Sequence, residues 1–524
     1  MTQPELAEAA GAGDLEAIRA LLDSGADVRY VRPRGYTVMI DVMHGRDILK
    51  DPNLLPILRL LIDRGADLDA ESDYDESALS VASRVGRFDA VKLLLDAGAN
   101  PAPLGWTALH RAVTLGTVAD VKARLDAGDD VSARDRWDRT PLLLSLQVGD
   151  LEKAELLLAA GGSLADLGRC GRSPLSYAIG NDDPAALRWL LERGVDPNST
   201  NDFGDTPLVE AAGSGAAKCV RALLDAGADP NLAKEVKIPT SLFDDPELAD
   251  MLADLETDTG ITESPMKTAA TLEVARMLAA AGGNFTEIND EVRDELTRRT
   301  RTKSIECSPE DYQAAKHRVF GNANPQLMNL PFWRAMVASG ESAYGARARF
   351  DQGRLEDGAV WCYSRFGRSF TELPDGRVIE IGGEHEDYYD PDFCIYNDVI
   401  VHHGDGRFDI YGYPKEVFPP TDFHTATLVG DSIYIIGSIG YQGERRYGFT
   451  PVYRLNIHTL AIESVETFGE SPGWIFEHRA KLVGDAIQIS GGKIAMLADG
   501  EETQDPNLGE YSLDLGSMNW SKIS

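Results

Sequence analysis

The sequence TPLLLSLQVGDLEKAELLLAAG, residues 140–161, contains two short helical patterns separated by a turn. Thr140 can cap the first helix through its hydroxyl, and Pro141 suits the first helical position, where the backbone amide has no intrahelical partner. Gly149 predicts the end of this helix. The second helix is rich in leucine and ends at Gly161, because glycine adopts the left-handed conformation at low cost. The stretch therefore predicts a unit of two short helices.

This unit recurs through the first half of the chain. Its closing glycine is repeated at Gly25, Gly65, Gly98, Gly128, Gly161, Gly194 and Gly227. Its helix-opening hydroxyl residue returns every 33 residues, at Thr107, Thr140, Ser173 and Thr206. A unit of this size buries its apolar face only against its neighbours, so the repetition predicts an elongated stack of units. Such a stack is more typical of binding proteins than of enzymes.

Two helices and a hairpin in each 33-residue unit, with Thr-Ala-Leu-His at residues 107–110, resemble the ankyrin repeat. The stretches 89–100 and 223–231 are also similar to this repeat. The resemblance implies a helical solenoid over residues 1–290, with about seven to eight units and a degenerate last unit. It also implies that the hairpin tips and the concave helix face contact a partner protein.

The predicted hairpin tips carry large aromatic residues and arginines, which are the residue types that dominate binding hot spots. The candidate partner-binding residues are Trp106, Arg136, Trp137, Arg139, Arg169, Arg172 and Phe203. Because the arginines stand out in an acidic chain, one hypothesis is a docking ridge for an acidic or carboxylate-bearing segment of another protein. The alternative is that these are solvated turn residues, with Trp137 folded onto the adjacent hairpin. The sequence leaves both open.

Residues 291–360 form a predicted helical joining segment. Its aromatic stretches at 331–336 and 343–350 read as two amphipathic helices separated by Gly340. We expect their aromatic faces to pack on the next domain.

In residues 361–524 the pattern changes to alternating strands. The sequence VIEIGG at 378–383 returns as IYIIGS at 433–438 and as IQISGG at 487–492. A strand that ends in paired glycines, followed downstream by tyrosine and a further aromatic residue, resembles the Kelch repeat of β-propellers. The resemblance implies an antiparallel Kelch-like domain of three four-stranded blades, that is, a partial propeller.

Three blades are too few to close a ring, since propellers have about four to eight. Open strand edges invite pairing with another chain, so they need to be covered. Three solutions remain open: the joining helices cover the edges, two chains form a homodimer with a shared six-bladed ring, or another partner supplies strands.

The charge balance restricts the partners. The chain has 51 Lys and Arg against 85 Asp and Glu, a net charge of −34. This field disfavours nucleic acid and anionic membrane surfaces. The N-terminus lacks the pattern of a signal peptide, no apolar run is long enough to span a bilayer, and the five cysteines are scattered. These features predict a cytoplasmic protein without a disulfide framework.

Neither a nucleophile elbow nor a phosphate loop, a zinc-protease motif or a dinucleotide fingerprint occurs in the sequence. We therefore expect no enzymatic activity, no cofactor and no metal. The densest polar cluster, residues 384–390, favours a solvated loop, but Glu384, His385 and Asp387 also allow an alternative, a metal-dependent enzyme. A small-molecule sensor with its site on the same β-domain is a further alternative.

His424 and His478 recur at equal offsets before two of the strand motifs. A residue that repeats with the architecture is usually structural, so we predict that both bond strand to strand within a blade.

Taken together, the sequence predicts a multidomain α + β protein. Its parts are an ankyrin solenoid over 1–290, a helical joining segment over 291–360 and a Kelch-like domain over 361–524. The predicted function is a scaffold or adaptor that binds other proteins through both repeat domains.

Overall fold

The computed structural model describes residues 3–45, 48–49, 51–235, 262–351, 358–385, 392–498 and 500–523. The chain divides into two compact units, Met1–Glu263 and Ser264–Ser524, called here the first and the second unit. The domain boundaries expected from the sequence, at 290 and 360, remain predictions.

The described helices of the first unit follow one another in pairs. They are α1 (Gln3–Gly11) and α2 (Leu15–Asp23), α3 (Val38–Met43) and α4 (Leu54–Asp63), α5 (Ala78–Val85) and α6 (Phe88–Asp96), α7 (Ala108–Leu115) and α8 (Val118–Asp126), α9 (Pro141–Val148) and α10 (Leu151–Ala159), α11 (Pro174–Gly180) and α12 (Pro184–Leu191), α13 (Pro207–Gly213) and α14 (Ala217–Asp225). After α14, the short strands β1 (Lys234–Glu235) and β2 (Thr262–Glu263) pair antiparallel.

The predicted helix starts are confirmed at three of the four repeat positions. Thr107, Thr140 and Thr206 each accept a hydrogen bond from the backbone N–H three residues later, at 3.3, 3.4 and 3.2 Å. Ser173 precedes α11 without such a bond, and Pro174 occupies the first helical position there. The repeating hydroxyl therefore satisfies backbone donors that a helix N-terminus leaves free.

Helix α9 shows how the stack forms its core. It contacts α7 on one side and α11 on the other. Leu142, Leu143, Leu144 and Leu146 are all buried as a result. A helix that is apolar on every side is stable only when neighbours cover it, which is the condition that a repeat array provides.

Between successive helix pairs the chain forms hairpin turns, called fingers. The described fingers are the first (residues 32–36), second (72–76), third (102–106), fourth (135–139), fifth (168–172) and sixth (201–205). Neighbouring fingers are joined by backbone hydrogen bonds: Arg169 N donates to Trp137 O at 2.9 Å, and Asp202 N donates to Cys170 O at 3.1 Å. Together with the bond from Arg136 N to Leu104 O, these bonds link the third to sixth fingers in one row.

Gly105 in the third finger allows a close approach between fingers. Its φ is 66°, and a Cβ atom there would lie 3.0 Å from the backbone nitrogen of Arg136. That nitrogen donates to Leu104 O at 3.1 Å. A side chain at Gly105 would therefore disturb the link between the third and fourth fingers.

The second unit begins with helices and continues with strands. The helices are α15 (Pro265–Thr268), α16 (Leu272–Ala280), α17 (Asp290–Thr297), α18 (Pro309–Ala315), α19 (Pro331–Ser339) and α20 (Ala343–Phe350). The strands are β3 (Gln326–Leu327), β4 (Ser369–Glu372), β5 (Val378–Ile381), β6 (Glu384–His385), β7 (Cys394–Ile395), β8 (Val399–His402), β9 (Phe408–Gly412), β10 (Thr425–Val429), β11 (Ser432–Ile436), β12 (Val452–Asn456), β13 (Ile462–Ser464), β14 (Phe468–Gly469), β15 (Trp474–Phe476), β16 (Arg479–Val483), β17 (Ala486–Ser490), β18 (Lys493–Ala498), β19 (Glu501–Pro506), β20 (Glu510–Asp514) and β21 (Asn519–Lys522).

These strands form three main antiparallel sheets. The first has the order β3-β9-β8-β5-β4, the second β10-β11-β12-β13 and the third β14-β21-β20-β17-β16, in which only the β14–β21 pair is parallel. Smaller sheets contain β15-β18-β19 and β6-β7. Each strand motif of the sequence lies in one main sheet, as β5, β11 or β17. No closed barrel or propeller is seen among the described residues, and the Kelch identity of this region remains a prediction.

The motif glycine Gly437 lies where the second sheet meets strand β15 of a smaller sheet. Its φ is 78°, and a Cβ atom there would come 2.4 Å from the carbonyl oxygen of Ile475 in β15. The next residue, Ser438, donates its backbone N–H to the same oxygen at 3.0 Å. The strand motif therefore ends in glycine because a neighbouring strand passes directly beside it.

The prediction for the two repeated histidines was wrong in one respect. His424 Nε2 lies 2.8 Å from Ser369 Oγ in β4, and His478 Nε2 lies 2.9 Å from Thr425 Oγ1 in β10. Each histidine therefore joins two neighbouring sheets and does not bond within one blade. Strand β10 of the second sheet contacts β4 of the first sheet and β16 of the third sheet. The sequence period alone does not reveal these contacts.

The aromatic helices of the joining segment cover one face of the first sheet. Trp333 of α19 stacks on Trp361 with ring centroids 4.8 Å apart, and both are buried in a cluster with Ile400 and Ile410 of that sheet. This arrangement agrees with the expectation that the aromatic helix faces pack on the strand region, whereas covering of the strand edges by these helices remains a prediction.

The strands β9, β13 and β21, one in each main sheet, are also contacted from within the chain. Strand β3 pairs with β9 in the first sheet, and β14 pairs with β21 in the third. In the second sheet, the Asn324 side chain donates to Ile462 O at 2.7 Å and accepts from Ile462 N at 2.8 Å. Backbone groups that would recruit another strand are therefore occupied there.

The third sheet has one apolar and one polar face. Ile487, Ile489 and Leu513 pack against residues of the second sheet. The opposite face carries Lys481, Gln488, Ser512 and Asp514, which are exposed or half-buried. An antiparallel sheet with one polar face can border water, so the stack of sheets can end here.

Candidate partner-binding pocket

The first unit contains a pocket of about 820 Å³. It is lined by the second, fourth, fifth and sixth fingers together with helices α5, α11 and α13. Of the candidate residues from the sequence, the pocket lining includes Arg136, Trp137, Arg139, Arg169, Arg172 and Phe203. The fold therefore brings together side chains that lie up to two repeats apart in the sequence.

Arg139 fixes the fourth finger to the helices behind it. Its side chain is only 1% exposed and forms an ion pair with Asp135 at 2.6 Å. It also donates to Ser83 O and to Gln147 Oε1, both at 2.7 Å. Its guanidinium is thus occupied by structural contacts, and the residue positions the neighbouring Trp137 in the pocket.

Trp137 is half-buried and is surrounded by three guanidinium groups. The carbon atoms of the Arg84, Arg136 and Arg169 guanidinium groups lie 5.5, 5.7 and 5.3 Å from its ring centroid. Distances of this size are typical of cation–π contacts. The ring therefore holds several positive groups close together on the pocket wall.

These arginines differ in the partners that they already have. Arg84 forms an ion pair with Glu76 at 3.0 Å, and Arg136 donates to the backbone oxygen of Asp75 at 2.6 Å. In the described part of the chain, Arg169 has no ion pair, and its side chain donates no hydrogen bond. Arg169 is therefore the pocket arginine most accessible to an external anion.

Arg172 at the other end of the fifth finger has a similar environment. It lies over the Tyr177 ring at 4.9 Å and donates only a long hydrogen bond, 3.4 Å, to Ser176 O. Among the described residues it forms no ion pair within 4.0 Å. Tyr177 itself is buried, and burial raises the pKa of its hydroxyl.

The pocket also contains acidic groups, of which Glu210 is the most enclosed. Glu210 Oε1 accepts hydrogen bonds from Ser176 Oγ at 3.0 Å and from Asn201 Nδ2 at 3.2 Å. Burial raises the pKa of this carboxyl, and the nearby Arg172 opposes the shift. Together with Asp75 and Glu76, Glu210 limits the positive charge of the pocket without neutralising Arg169 and Arg172 by ion pairing.

Two exposed aromatic residues lie at the pocket rim. Tyr74 of the second finger is 54% exposed, and Phe203 of the sixth finger is 53% exposed. Large aromatic side chains that remain accessible beside charged groups are typical of protein-binding surfaces. Trp106 is not among the lining residues; it packs at 6.4 Å from Phe88 against the core of the first repeats.

Sequence reasoning missed Tyr177 and Glu210. Both stand four positions after a helix-opening residue, Ser173 and Thr206, and they are therefore 33 residues apart. The same repeat position therefore lines the pocket in two successive units. The 33-residue period could have identified this position as part of the site.

The alternative site in the second unit was expected around Glu384, His385 and Asp387. His385 is buried, its Nδ1 lies 2.7 Å from Tyr396 Oη, and burial lowers its pKa to about 4. Residues 386–390, including Asp387, lie outside the described residues. Among the residues that are described, no cluster of His, Cys, Asp and Glu is suited to hold a metal ion.

The helix pairs, the capped starts and the row of fingers can be compared with known proteins. A family model for ankyrin repeats, spanning three copies, matches residues 6–103, 48–135, 118–201 and 142–234. Residues 6–234 consist of ankyrin repeats. The candidate pocket lies within these ankyrin repeats, and the match does not extend to the strand region.

Two curated relatives are similar to part of the chain. A putative ankyrin repeat protein of Acanthamoeba polyphaga mimivirus is 38% identical over 90 residues, which are 17% of this chain and 52% of that protein. A transient receptor potential cation channel subfamily A member 1 homolog of Caenorhabditis elegans is 31% identical over 114 residues, 21% of this chain and 9% of the channel. The chain thus covers about half of the first relative and a small part of the second.

No helix in the described part of the chain combines the length and the apolar composition needed to cross a membrane.

Proposed function

We propose that this protein is a non-catalytic adaptor or scaffold and that its ankyrin repeats dock a partner protein in the pocket around Trp137. Ankyrin repeats generally mediate protein–protein interactions. The observation that carries the proposal is the concave pocket with Trp137 on its wall, three guanidinium groups around the ring and two exposed aromatic residues on the rim. Such a combination fits the centre of a binding surface.

The proposed partner presents an acidic segment. Within a chain of net charge −34, the pocket collects arginines. Two of them, Arg169 and Arg172, have neither an ion pair nor a side-chain hydrogen bond shorter than 3.4 Å among the described residues. An approaching carboxylate would find these donors without displacing an existing partner. Electrostatic complementarity of this kind mainly determines specificity and association rate.

The test is affinity capture with the full chain and a triple variant, Arg136→Ala, Trp137→Ala and Arg172→Ala. We expect the natural protein to capture a defined set of proteins that the triple variant no longer captures. A matched control replaces the exposed Arg188 and Arg221, which do not line the pocket, with alanine. Equal recovery by the triple variant and the control would defeat the pocket assignment, provided that circular dichroism shows the same helix content.

For residues 361–524 we retain the Kelch-like identity as part of the proposal, with a second protein-binding role. Three main sheets of five, four and five strands support it, since each contains a run of four antiparallel strands. The homodimer with a shared ring receives less support, because the outer face of the third sheet is polar and the joining helices cover the first. Solution mass tests this point, since a twofold value would favour the shared ring.

A further inference from the structure

Resting on the proposed docking function, we infer that Arg169 and Arg172 form a two-point carboxylate clamp that binds two acidic side chains of one partner peptide. The two arginines lie at either side of the tip of the fifth finger. Each is placed against its own aromatic ring, Trp137 for Arg169 and Tyr177 for Arg172, at 5.3 and 4.9 Å. Arg169 and Arg172 would thus determine specificity by selecting carboxylate groups.

The aromatic contacts leave the guanidinium donors available. A guanidinium group is planar, and its N–H groups point outward from the edge of the plane. A guanidinium held beside a ring can still bind a carboxylate through two parallel hydrogen bonds. Arg169 donates no side-chain hydrogen bond among the described residues, and Arg172 donates only the 3.4 Å bond to Ser176 O.

The backbone of the fifth finger sets the direction of both side chains. Cys170 and Gly171, between the two arginines, have φ values of 60° and 69°. A Cβ atom at Gly171 would come 2.4 Å from Asp202 Oδ1 of the sixth finger, so the tip is held tightly against its neighbour. The backbone bond from Arg169 N to Trp137 O, 2.9 Å, holds it against the fourth finger on the other side. The two arginines therefore extend from a braced turn.

Charge determines the occupant. A peptide with two carboxylates meets two guanidinium groups that have no ion pair, whereas Glu210 beside Arg172 and Glu76 beside Arg84 oppose a larger negative charge. The exposed rings of Tyr74 and Phe203 provide surfaces for apolar side chains next to the acids. The occupant is thus an acidic peptide segment of a partner protein with interspersed apolar residues.

The test measures binding of fluorescein-labelled, amidated peptides to the full chain by anisotropy. In the peptide series, two Glu residues are separated by increasing numbers of Gly and Phe, and each peptide has a matched form with Gln in place of Glu. We expect one spacing to bind best and its Gln form to bind about tenfold more weakly, because the charge-assisted bonds are lost.

The decisive variant is Arg169→Lys combined with Arg172→Lys. It keeps both positive charges but loses the planar fork and the ring contact, so we expect about a tenfold loss of affinity for the best Glu peptide. The control is Arg188→Lys with Arg221→Lys, which changes two exposed arginines outside the pocket and should bind like the natural sequence. Both variants are compared by thermal unfolding.

Several results would overturn the clamp. Unchanged affinity of the Lys variant would show that positive charge alone suffices. Tighter binding of a phosphoserine peptide than of the Glu peptide would identify phosphate as the selected anion, and failure of every Glu peptide to bind would exclude the clamp. In each case the adaptor proposal stands if the triple alanine variant still loses its captured proteins, so the two failures can be told apart.

One competing occupant is the chain itself. Residues 241–258, which lie outside the described residues, are rich in Asp and Glu and contain neither Lys nor Arg. If replacing their acids with amides increased the affinity for the Glu peptide, the clamp would belong to this segment and the inference of a partner peptide would fail. Unchanged affinity would support the partner peptide.

Discussion

The core of the second unit and the pocket of the first unit use arginine in different ways. In the second unit, Arg365 and Arg368 are buried and paired with Asp398 and Glu380. In the pocket of the first unit, Arg169 is exposed and Arg172 is half-buried, and neither has an ion pair among the described residues. The same side chain therefore holds a fold together where a carboxylate is already present, and it is available for a ligand where none is.

Arg139 shows that a buried, paired arginine also occurs in the first unit. It lies one finger away from Arg169 in the same array, yet it is 1% exposed and paired with Asp135. Its removal should affect stability first, whereas removal of Arg169 should affect binding first. Whether an arginine is structural or available for a ligand therefore depends on whether a buried carboxylate lies next to its guanidinium. It does not depend on which unit contains the arginine.

The largest expected effect concerns Arg365→Ala. Arg365 donates to Asp398 Oδ2 at 3.1 Å and to Cys362 O at 2.7 Å, and it lies 3.5 Å from the Tyr396 ring centroid. Its loss leaves the buried Asp398 uncompensated, so the free energy of unfolding should fall by about 3–5 kcal/mol. Urea denaturation measures this change.

The matched control is Arg169→Ala, which should change the free energy of unfolding by about 0.5 kcal/mol or less because the side chain is exposed. If both variants lost the same stability, the distinction between structural and available arginines would be wrong.

A second expected effect concerns acid stability of the second unit. Burial lowers the pKa of His424 and of His478 to about 3, below the ordinary value of 6.5. Below pH 6.5 the unfolded chain binds more protons at these residues than the folded chain, so stability falls as the pH decreases from 6.5. Each histidine should contribute about 2 kcal/mol of this loss by pH 5.

The double variant His424→Gln and His478→Gln should therefore show a flatter decline of unfolding free energy between pH 6.5 and pH 5 than the natural sequence. His458→Gln is the control, since the His458 side chain is 62% exposed and does not join two sheets. Identical slopes in all three proteins would exclude the two inter-sheet histidines as the source of the acid sensitivity.

The smallest expected effect concerns the row of fingers. Gly105 and Gly128 both have positive φ, 66° and 83°, but only at Gly105 would a Cβ atom contact backbone, 3.0 Å from Arg136 N. Gly128→Ala should cost about 1 kcal/mol for the backbone conformation alone, and Gly105→Ala about 1 kcal/mol more. Thermal unfolding compares the two, and equal losses would show that the contact between fingers is unimportant.

Much of the local structure was accessible from the sequence because it depends on neighbouring residues. The helix starts at Thr107, Thr140 and Thr206 follow from hydroxyl caps, and the strand motifs follow from alternation. The candidate site was predicted only in part. Arg136 and Arg139 look equivalent in sequence, although the Arg136 guanidinium lies beside the Trp137 ring and the Arg139 guanidinium is buried in an ion pair.

The period of 33 residues by itself determined that the first half of this chain is a stack of helix pairs, because each unit carries its own caps and its own apolar stripe. Only the tertiary structure decided which arginines remain available and which sheets the histidines join. Those outcomes depend on contacts between residues far apart in sequence, such as Arg139 with Ser83 and His424 with Ser369. Burial and pairing at such contacts are set by where the backbone brings the side chains, and no local pattern encodes that position.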